Sequence, residues 1–139
     1  MSNKSLGTSF EEELAETLHD KGYWVHLLRQ SEAGQPADMI AVKNQKAFLI
    51  DAKVCSNDTF PLTRVEDNQE LAMKAWALAG NDTPWFALKI SDGVYMLPYS
   101  YVKRVLAWGG LKSLNAAQIK NWAFSLEEWL KEWGDTDDS

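Results

Sequence analysis

The sequence predicts an α/β sandwich around a mixed β-sheet. Two observations lead to this prediction. Stretches with helical and with strand periodicity alternate along the chain in the order α-β-β-β-α-β-β-α-α. The two central predicted strands are also apolar at consecutive positions, which indicates a sheet covered on both faces. With 139 residues and 45% hydrophobic residues, the chain is expected to form one domain with its own core.

The first predicted helix covers residues 8–21. Thr8 and Glu11 have the spacing of a capping box, and Gly22 supplies a stop signal. Three apolar residues four positions apart form one stripe along this helix: Phe10, Leu14 and Leu18.

Three strands are predicted next, over residues 23–30, 37–43 and 46–55. Gly34 and Pro36 indicate a loop between the first and the second of them. The second and third flank Asn44-Gln45, which reads as a two-residue hairpin turn.

The second half repeats helix, hairpin and helices. A second capping box, Thr63 to Glu66, predicts a helix that runs to about Ala79. Asp92-Gly93 predicts the turn of another hairpin. A helix follows over residues 101–108, and a third capping box, Ser125 to Glu128, starts a last helix with Leu126, Trp129, Leu130 and Trp133 on one face.

Charge is distributed unevenly along the chain. Residues 127–139, an acidic C-terminal tail, hold six acids and one base and so carry −5 of the net charge of −6, which leaves −1 for residues 1–126. If Glu11, Asp38 and Asp51 hold a metal ion, the rest of that body is slightly basic. Such a body is compatible with DNA binding through few phosphate contacts.

Composition also suggests a compartment. The only cysteine is Cys55, so an intrachain disulfide is excluded and a reducing cytoplasm is expected. No apolar run approaches the ~20 residues of a membrane span, and the first residues lack the apolar core of a signal peptide.

The turn at Asn44-Gln45 sets the register of the central hairpin. Lys43 then pairs with Lys46, and Asp38 falls directly opposite Asp51 on the same face of the sheet. Lys53 lies two residues beyond Asp51 and shares that face. The hairpin therefore brings two carboxylates and one amine to one place.

Two facing carboxylates repel each other unless a cation lies between them. Oxygen ligands favour Mg²⁺, with Mn²⁺ as a substitute. Asp38, Asp51 and the backbone carbonyl of Ala52 are the predicted ligands, and Glu11 could complete the set. Such a metal polarises a phosphate and activates water, while Lys53 orients that water or neutralises charge. A metal-dependent phosphodiester hydrolase is thus predicted.

Simpler explanations exist for each residue alone. Asp38 could be a turn residue after Pro36, and Asp51 and Lys53 could be an exposed strand pair. The opposed register and the apolar neighbours favour the catalytic interpretation of all three. For Glu11 the capping box is a sufficient explanation, and Glu12 or Glu13 could serve in its place.

The pattern Glu11…Pro36-Ala37-Asp38…Asp51-Ala52-Lys53 resembles the PD-(D/E)xK nuclease superfamily. Within it the chain looks most similar to RecU-type Holliday junction resolvases, with the archaeal Hjc resolvases next. The most specific segment is Phe60-Pro61-Leu62 followed by Asp67-x-Gln69 and Met73. The other matching segments, within residues 7–114, are Gly7-x-x-Phe10-Glu11-x-x-Leu14, Val94-Tyr95-Met96-Leu97-Pro98 and Gly110-x-Lys112-Ser113-Leu114.

The resemblance implies a restriction-endonuclease-like three-layer sandwich and an Mg²⁺-dependent endonuclease that resolves four-way junctions. It also implies catalytic roles for Asp38, Asp51, Lys53, Glu11 and Gln69. Gln69 could equally be a polar residue at a solvated helix start. RecU proteins carry a long basic stalk, whereas residues 31–36 form only a short loop here. A nuclease for other branched, nicked or linear DNA, or a non-catalytic DNA-binding module on this fold, is therefore the alternative.

Branched DNA and a second copy of the chain are the expected partners, because the resembling nucleases look like C2 homodimers that cut two strands. Seven tryptophans are compatible with such an interface. Trp24, Trp76, Trp85 and Trp108 lie in core-like patterns, whereas Trp122, Trp129 and Trp133 pack on their own domain or in the dimer. The candidate DNA-binding residues are Arg29, Lys43, Lys46, Arg64 and Lys112.

Overall fold

The computed structural model describes residues 3–28 and 37–134. A six-stranded sheet in the order β1-β2-β3-β5-β6-β8 forms its centre. Only the β3–β5 pair is parallel among the pairs of this sheet, so the sheet is mixed, as predicted. The main strands are β1 (Trp24–Leu27), β2 (Met39–Lys43), β3 (Lys46–Val54), β5 (Trp85–Ile90) and β6 (Gly93–Pro98).

Three further strands are only two residues long, and the sequence analysis missed them. β4 (Phe60–Pro61) and β7 (Ser113–Leu114) pair with each other in a small separate sheet. β8 (Phe124–Ser125) adds to the edge of the main sheet beside β6. Strands this short carry no period-2 pattern that a sequence can display.

The helices are α1 (Asn3–Asp20), α2 (Asp67–Leu78), α3 (Tyr99–Trp108), α4 (Ala116–Trp122) and α5 (Leu126–Trp129), and a further helical stretch covers Leu130–Gly134. Two starts differ from the predictions. α1 begins five residues before Thr8, so the capping box proposed there is wrong. α2 is capped by Glu66 rather than Thr63, because Leu62–Arg64 form a separate 3₁₀ turn.

The sheet separates two hydrophobic cores, which makes the fold a three-layer sandwich, as predicted. Alternate residues of β3 point to opposite sides: Phe48 and Ile50 contact one core, and Leu49 contacts the other. α1 and α5 cover the first face, and α2, α3 and α4 cover the second. Strands buried on both faces explain the consecutive apolar positions in the sequence.

The central hairpin has the predicted register. Its ladder runs from Lys43 opposite Lys46 to Met39 opposite Ile50, and it stops before the predicted pair of Asp38 and Asp51, because the N–H of Asp38 donates to Ile50. Asn44 and Gln45 both have positive φ, at 52° and 68°, which is the backbone of a type I′ turn. Because that turn matches the twist of the strands, a two-residue connection suits this register.

The tryptophan predictions are partly wrong. Trp85 and Trp129 are buried, and Trp133 packs half-buried against the same core. Trp24 and Trp108 are instead 61% and 70% exposed. The C-terminal acids Glu127, Glu128 and Glu132 thus belong to a helical segment anchored by Trp129, and residues 135–139 lie outside the described part.

No helix within residues 3–28 and 37–134 has the length and apolar character that crossing a membrane requires.

Candidate active site

Three buried side chains with polar groups meet where β2 and β3 separate. Within the described part of the chain, Asp38, Asp51 and Gln69 are the polar or charged residues that are buried. All three occupy this one place, although they come from three segments of the chain. Burying unsatisfied or charged groups costs stability. A cluster that collects all of them indicates a function.

Asp38 is fixed just before β2 begins. Its backbone carbonyl accepts a hydrogen bond from Leu28 at 2.8 Å, which continues the β1–β2 ladder. Its backbone N–H donates to Ile50, whose strand partner is Met39, so the β2–β3 ladder leaves its register at Asp38. The Asp38 carboxylate Oδ2 accepts from the backbone N–H of Ala52 at 2.7 Å.

Asp51 is held by a cation and an amide. The Nζ atom of Lys53 lies 2.7 Å from Asp51 Oδ2, as expected for two residues on one face of a strand. The side-chain Nε2 of Gln69 donates to Asp51 Oδ1 at 3.0 Å. The structure therefore joins Asp38, Asp51, Lys53 and Gln69, all of which the sequence analysis named.

The start of α2 orients Gln69. Its Oε1 accepts a 3.4 Å hydrogen bond from the backbone N–H of Glu66, the residue that caps α2. This bond leaves the amide nitrogen facing Asp51, so one side chain caps a helix and positions a carboxylate. The sequence analysis missed the part played by Glu66. An acidic residue three positions before a glutamine was the available signal.

Burial, and after it mutual repulsion, raises the pKa of each carboxyl in this cluster. Burial, then the charge of Asp38, raises the pKa of Asp51 to about 7. Burial is also the main cause that raises the pKa of Asp38, opposed by the Ala52 hydrogen bond and reinforced by the charge of Glu11. Burial and then Asp51 raise the pKa of Glu11 on α1. Glu11 thus approaches from the layer opposite α2.

The donor chemistry of this cluster fits a hard divalent cation. Its ionised carboxylates repel one another, and a cation bound between them would remove this repulsion. The carbonyl of Ala52 points to the same side of β3 as its N–H, which is the side of Asp38. No three acid, histidine or cysteine side chains within residues 3–28 and 37–134 are close enough to form a ready-made metal site.

The described candidate DNA-binding residues fall in three separate places. Lys43 donates to the carbonyl of Lys21 at 2.7 Å, and both Lys43 and Lys46 lie at the turn end of the hairpin, away from Asp38. Arg64 lies beside the site, where its Nη1 donates to the carbonyl of Val54 at 2.7 Å. Lys112 is exposed next to β7, and Arg29 lies outside the described residues.

Two comparisons with known proteins bear on the family and the fold of this chain. The family model of the archaeal Holliday junction resolvase (Hjc) matches residues 2–107. The structure is similar to that of Archaeoglobus fulgidus Hjc, a Holliday junction resolvase from an archaeal hyperthermophile, with a TM-score of 0.68 and 15% sequence identity. That similarity covers 88% of this chain and 98% of the other. No curated protein matches the chain.

The structural similarity confirms the nuclease-like α/β fold. The family match confirms the predicted resolvase function, in the branch that the sequence analysis ranked second to RecU. The range that the family model matches includes the positions of Glu11, Asp38, Asp51, Lys53 and Gln69. The chain therefore belongs to the archaeal Holliday junction resolvase (Hjc) family, whose members are endonucleases that resolve four-way DNA junctions.

Proposed function

We propose that this chain resolves four-way junctions by Mg²⁺-dependent hydrolysis, with Asp38, Asp51 and Lys53 as its catalytic group. The observation that carries the proposal is the single cluster of Asp38, Asp51 and Gln69, which is buried and lies beside Lys53. A binding module has no need of opposed buried carboxylates. Their presence favours the catalytic interpretation over a non-catalytic one.

Asp38, Asp51 and the Ala52 carbonyl would hold Mg²⁺, or Mn²⁺ in its place, with Glu11 completing the ligand set. The bound ion supplies a Lewis acid for the phosphate and lowers the pKa of a coordinated water. Lys53 donates to a phosphate oxygen and offsets the charge that develops there. Gln69 keeps the Asp51 carboxylate in a fixed orientation through its two hydrogen bonds.

Cleavage of three DNAs tests the substrate. We expect a mobile and a fixed four-way junction to be cut in Mg²⁺ or Mn²⁺ much faster than a linear duplex of the same sequence. Chelation with EDTA should stop the reaction on all of them. Equal rates on junction and duplex would favour the alternative, a nuclease for other DNA, and cleavage in EDTA would contradict the metal dependence.

Symmetrical cleavage of two strands requires two sites, so we propose that the chain acts as a homodimer. Leu71 and Leu78 support this proposal, because they are 70% and 78% exposed on α2. Seven residues separate them, so they lie two turns apart on one face of the helix.

A cytoplasmic location is part of the proposal and follows from the single cysteine.

Light scattering tests the dimer. The expected mass is twice the 15.7 kDa of the chain. A Leu71→Glu, Leu78→Glu variant should give 15.7 kDa, because two charges would have to be buried in the interface. A Lys131→Glu variant makes the same change of net charge at an exposed residue in the layer opposite α2, and so separates a general charge effect from loss of the apolar contact. A monomeric mass for the unchanged chain would contradict the proposal.

A further inference from the structure

Within residues 3–28 and 37–134, no strand pairs with the end of β3 on the side of the carboxylates, and we call this side the open edge. β3 continues to Val54, although its last pair with β2 is Met39 opposite Ile50. From Asp51 to Val54 it pairs with β5 on one side. The N–H of Cys55 donates to Lys89 on β5 at 2.9 Å, so the alternate residues Ala52 and Val54 present their backbone groups to the opposite side.

Two contacts confirm which way these backbone groups face. The N–H of Ala52 meets the carboxylate of Asp38, and the carbonyl of Val54 meets the guanidinium of Arg64, each at 2.7 Å. Since the N–H and the carbonyl of a strand residue point to one side, the N–H of Val54 also faces the open edge. Arg64 thus lies beside a main-chain donor that has no hydrogen-bond partner among the described residues.

A cavity of about 300 Å³ lies along this edge. Ala52 and Val54 form one wall, Gly7 of α1 contributes to another, and Ser56, Thr59 and Arg64 close it. Among the described residues that line the cavity none is acidic, and the only cation among them is Arg64. A guanidinium carries five N–H donors, of which the bond to Val54 uses one.

The chemistry of this cavity is that of an anion site. The remaining guanidinium N–H groups, the N–H of Val54 and the hydroxyl of Ser56 are donors. Arginine and backbone N–H groups are the partners that protein–DNA interfaces use for phosphate oxygens. The carboxylates at Asp38 and Asp51 would repel the same anion, so the cavity is distinct from the metal site although it adjoins it.

We propose that this cavity binds a phosphate of the DNA strand next to the one that is cut. The inference rests on the proposed function, which locates the cut phosphate at Asp38 and Asp51. Ala52 and Val54 are separated by roughly 7 Å along the strand, which is comparable to the separation of successive phosphates in one DNA strand. The backbone of the substrate would then follow the open edge of β3.

Replacing single DNA phosphates by neutral methylphosphonates tests at which position this contact is made. A set of labelled four-way junctions carries one methylphosphonate each, moved one phosphate at a time along the strand that flanks the exchange point. Binding is measured in EDTA for the wild type, Arg64→Gln and the control Arg104→Gln, which changes an exposed arginine of α3 outside the cavity. We expect one position at which neutralisation weakens binding about ten-fold for wild type and Arg104→Gln.

At that position Arg64→Gln should lose little further affinity, because its partner charge is already absent. Arg64→Gln should also bind the unmodified junction about ten-fold more weakly and reduce the salt slope by about one. Equal sensitivity of Arg64→Gln and wild type at every position would overturn the proposal. Cleavage of the DNA in EDTA would instead contradict the metal dependence and leave the binding comparison standing.

A second pair of variants changes Gly7, the residue of α1 that lines the cavity. A Cβ built at Gly7 meets none of the described neighbouring atoms within 4 Å, so a side chain fits there, and both Glu and Gln have a higher helix propensity than Gly. Gly7→Glu and Gly7→Gln differ by one charge. We expect Gly7→Glu to bind the unmodified junction about ten-fold more weakly than Gly7→Gln does. The two variants should bind equally well to the junction that carries the methylphosphonate at the sensitive position. Equal affinities of the two variants for the unmodified junction would contradict a phosphate in the cavity.

Discussion

An Asp51→Asn variant is expected to lose Mg²⁺-dependent junction cleavage by about 10³-fold or more. Asn has nearly the shape of Asp but only one oxygen and no charge, which makes it a poor ligand for a hard cation. Binding of the junction should persist, because affinity comes from cations on phosphates. Asp51 is 1% exposed and makes no such contact. Single-turnover cleavage and equilibrium binding on one labelled junction measure both quantities.

An Asp82→Asn variant is the matched control for this experiment, since it makes the same chemical change at an exposed position between α2 and β5. It should cleave at the wild-type rate. An Asp51→Asn variant that cuts as fast as wild type would show that catalysis takes place elsewhere. Loss of binding together with cleavage would mean that Asp51 contributes to the DNA surface rather than to the chemistry.

Stability of the metal-free chain is expected to fall as pH rises from 5 to 8. In the folded state the Asp51 carboxyl keeps its proton to about pH 7, whereas its usual pKa is 3.8. Between these values the folded chain binds more protons than the unfolded chain, so the free energy of unfolding decreases with rising pH. The raised pKa values of Asp38 and Glu11 act in the same direction. A decrease of a few kcal/mol is expected in EDTA, measured by urea unfolding at several pH values.

An Asp38→Asn variant removes the charge repulsion between residue 38 and Asp51. Its amide oxygen can still accept from Ala52, while its NH₂ group can donate to the neighbouring carboxyls. The pH dependence should therefore be smaller than in wild type. Mg²⁺ should stabilise wild type more at pH 8 than at pH 5, because it binds the ionised carboxylates of the folded state. A wild-type stability that stays level or rises over this range would show that Asp51 ionises normally.

Local rules predicted the central hairpin well. The two-residue connection at Asn44 and Gln45 allows essentially one register, and the period of two along a strand then puts Asp51 and Lys53 on one face. The same rules failed at helix starts. The capping pattern of Thr8 lies inside α1, which begins at Asn3. The apolar stripe of Phe10, Leu14 and Leu18 packs in the same way whether or not the helix has additional turns before it.

Exposure was harder to predict than secondary structure. Trp24 and Trp85 look alike in sequence, since each belongs to an apolar strand. Trp85 lies on β5 in the middle of the sheet under the aromatic ring of Trp129. Trp24 lies on β1 at the edge of the sheet and is mostly exposed. Which strand becomes an edge is decided by long-range pairing, which no local pattern encodes.

The sequence by itself determined that two aspartates and a lysine come close together, because the turn at Asn44 and Gln45 sets the register of the hairpin that carries or adjoins them. The tertiary structure decided what surrounds them. It placed Gln69 on Asp51 through a helix cap, brought Glu11 from the opposite layer, and left one edge of β3 open beside Arg64. The reason is that hydrogen bonds within a hairpin depend on adjacent residues, whereas these neighbours depend on how distant segments pack across the sheet.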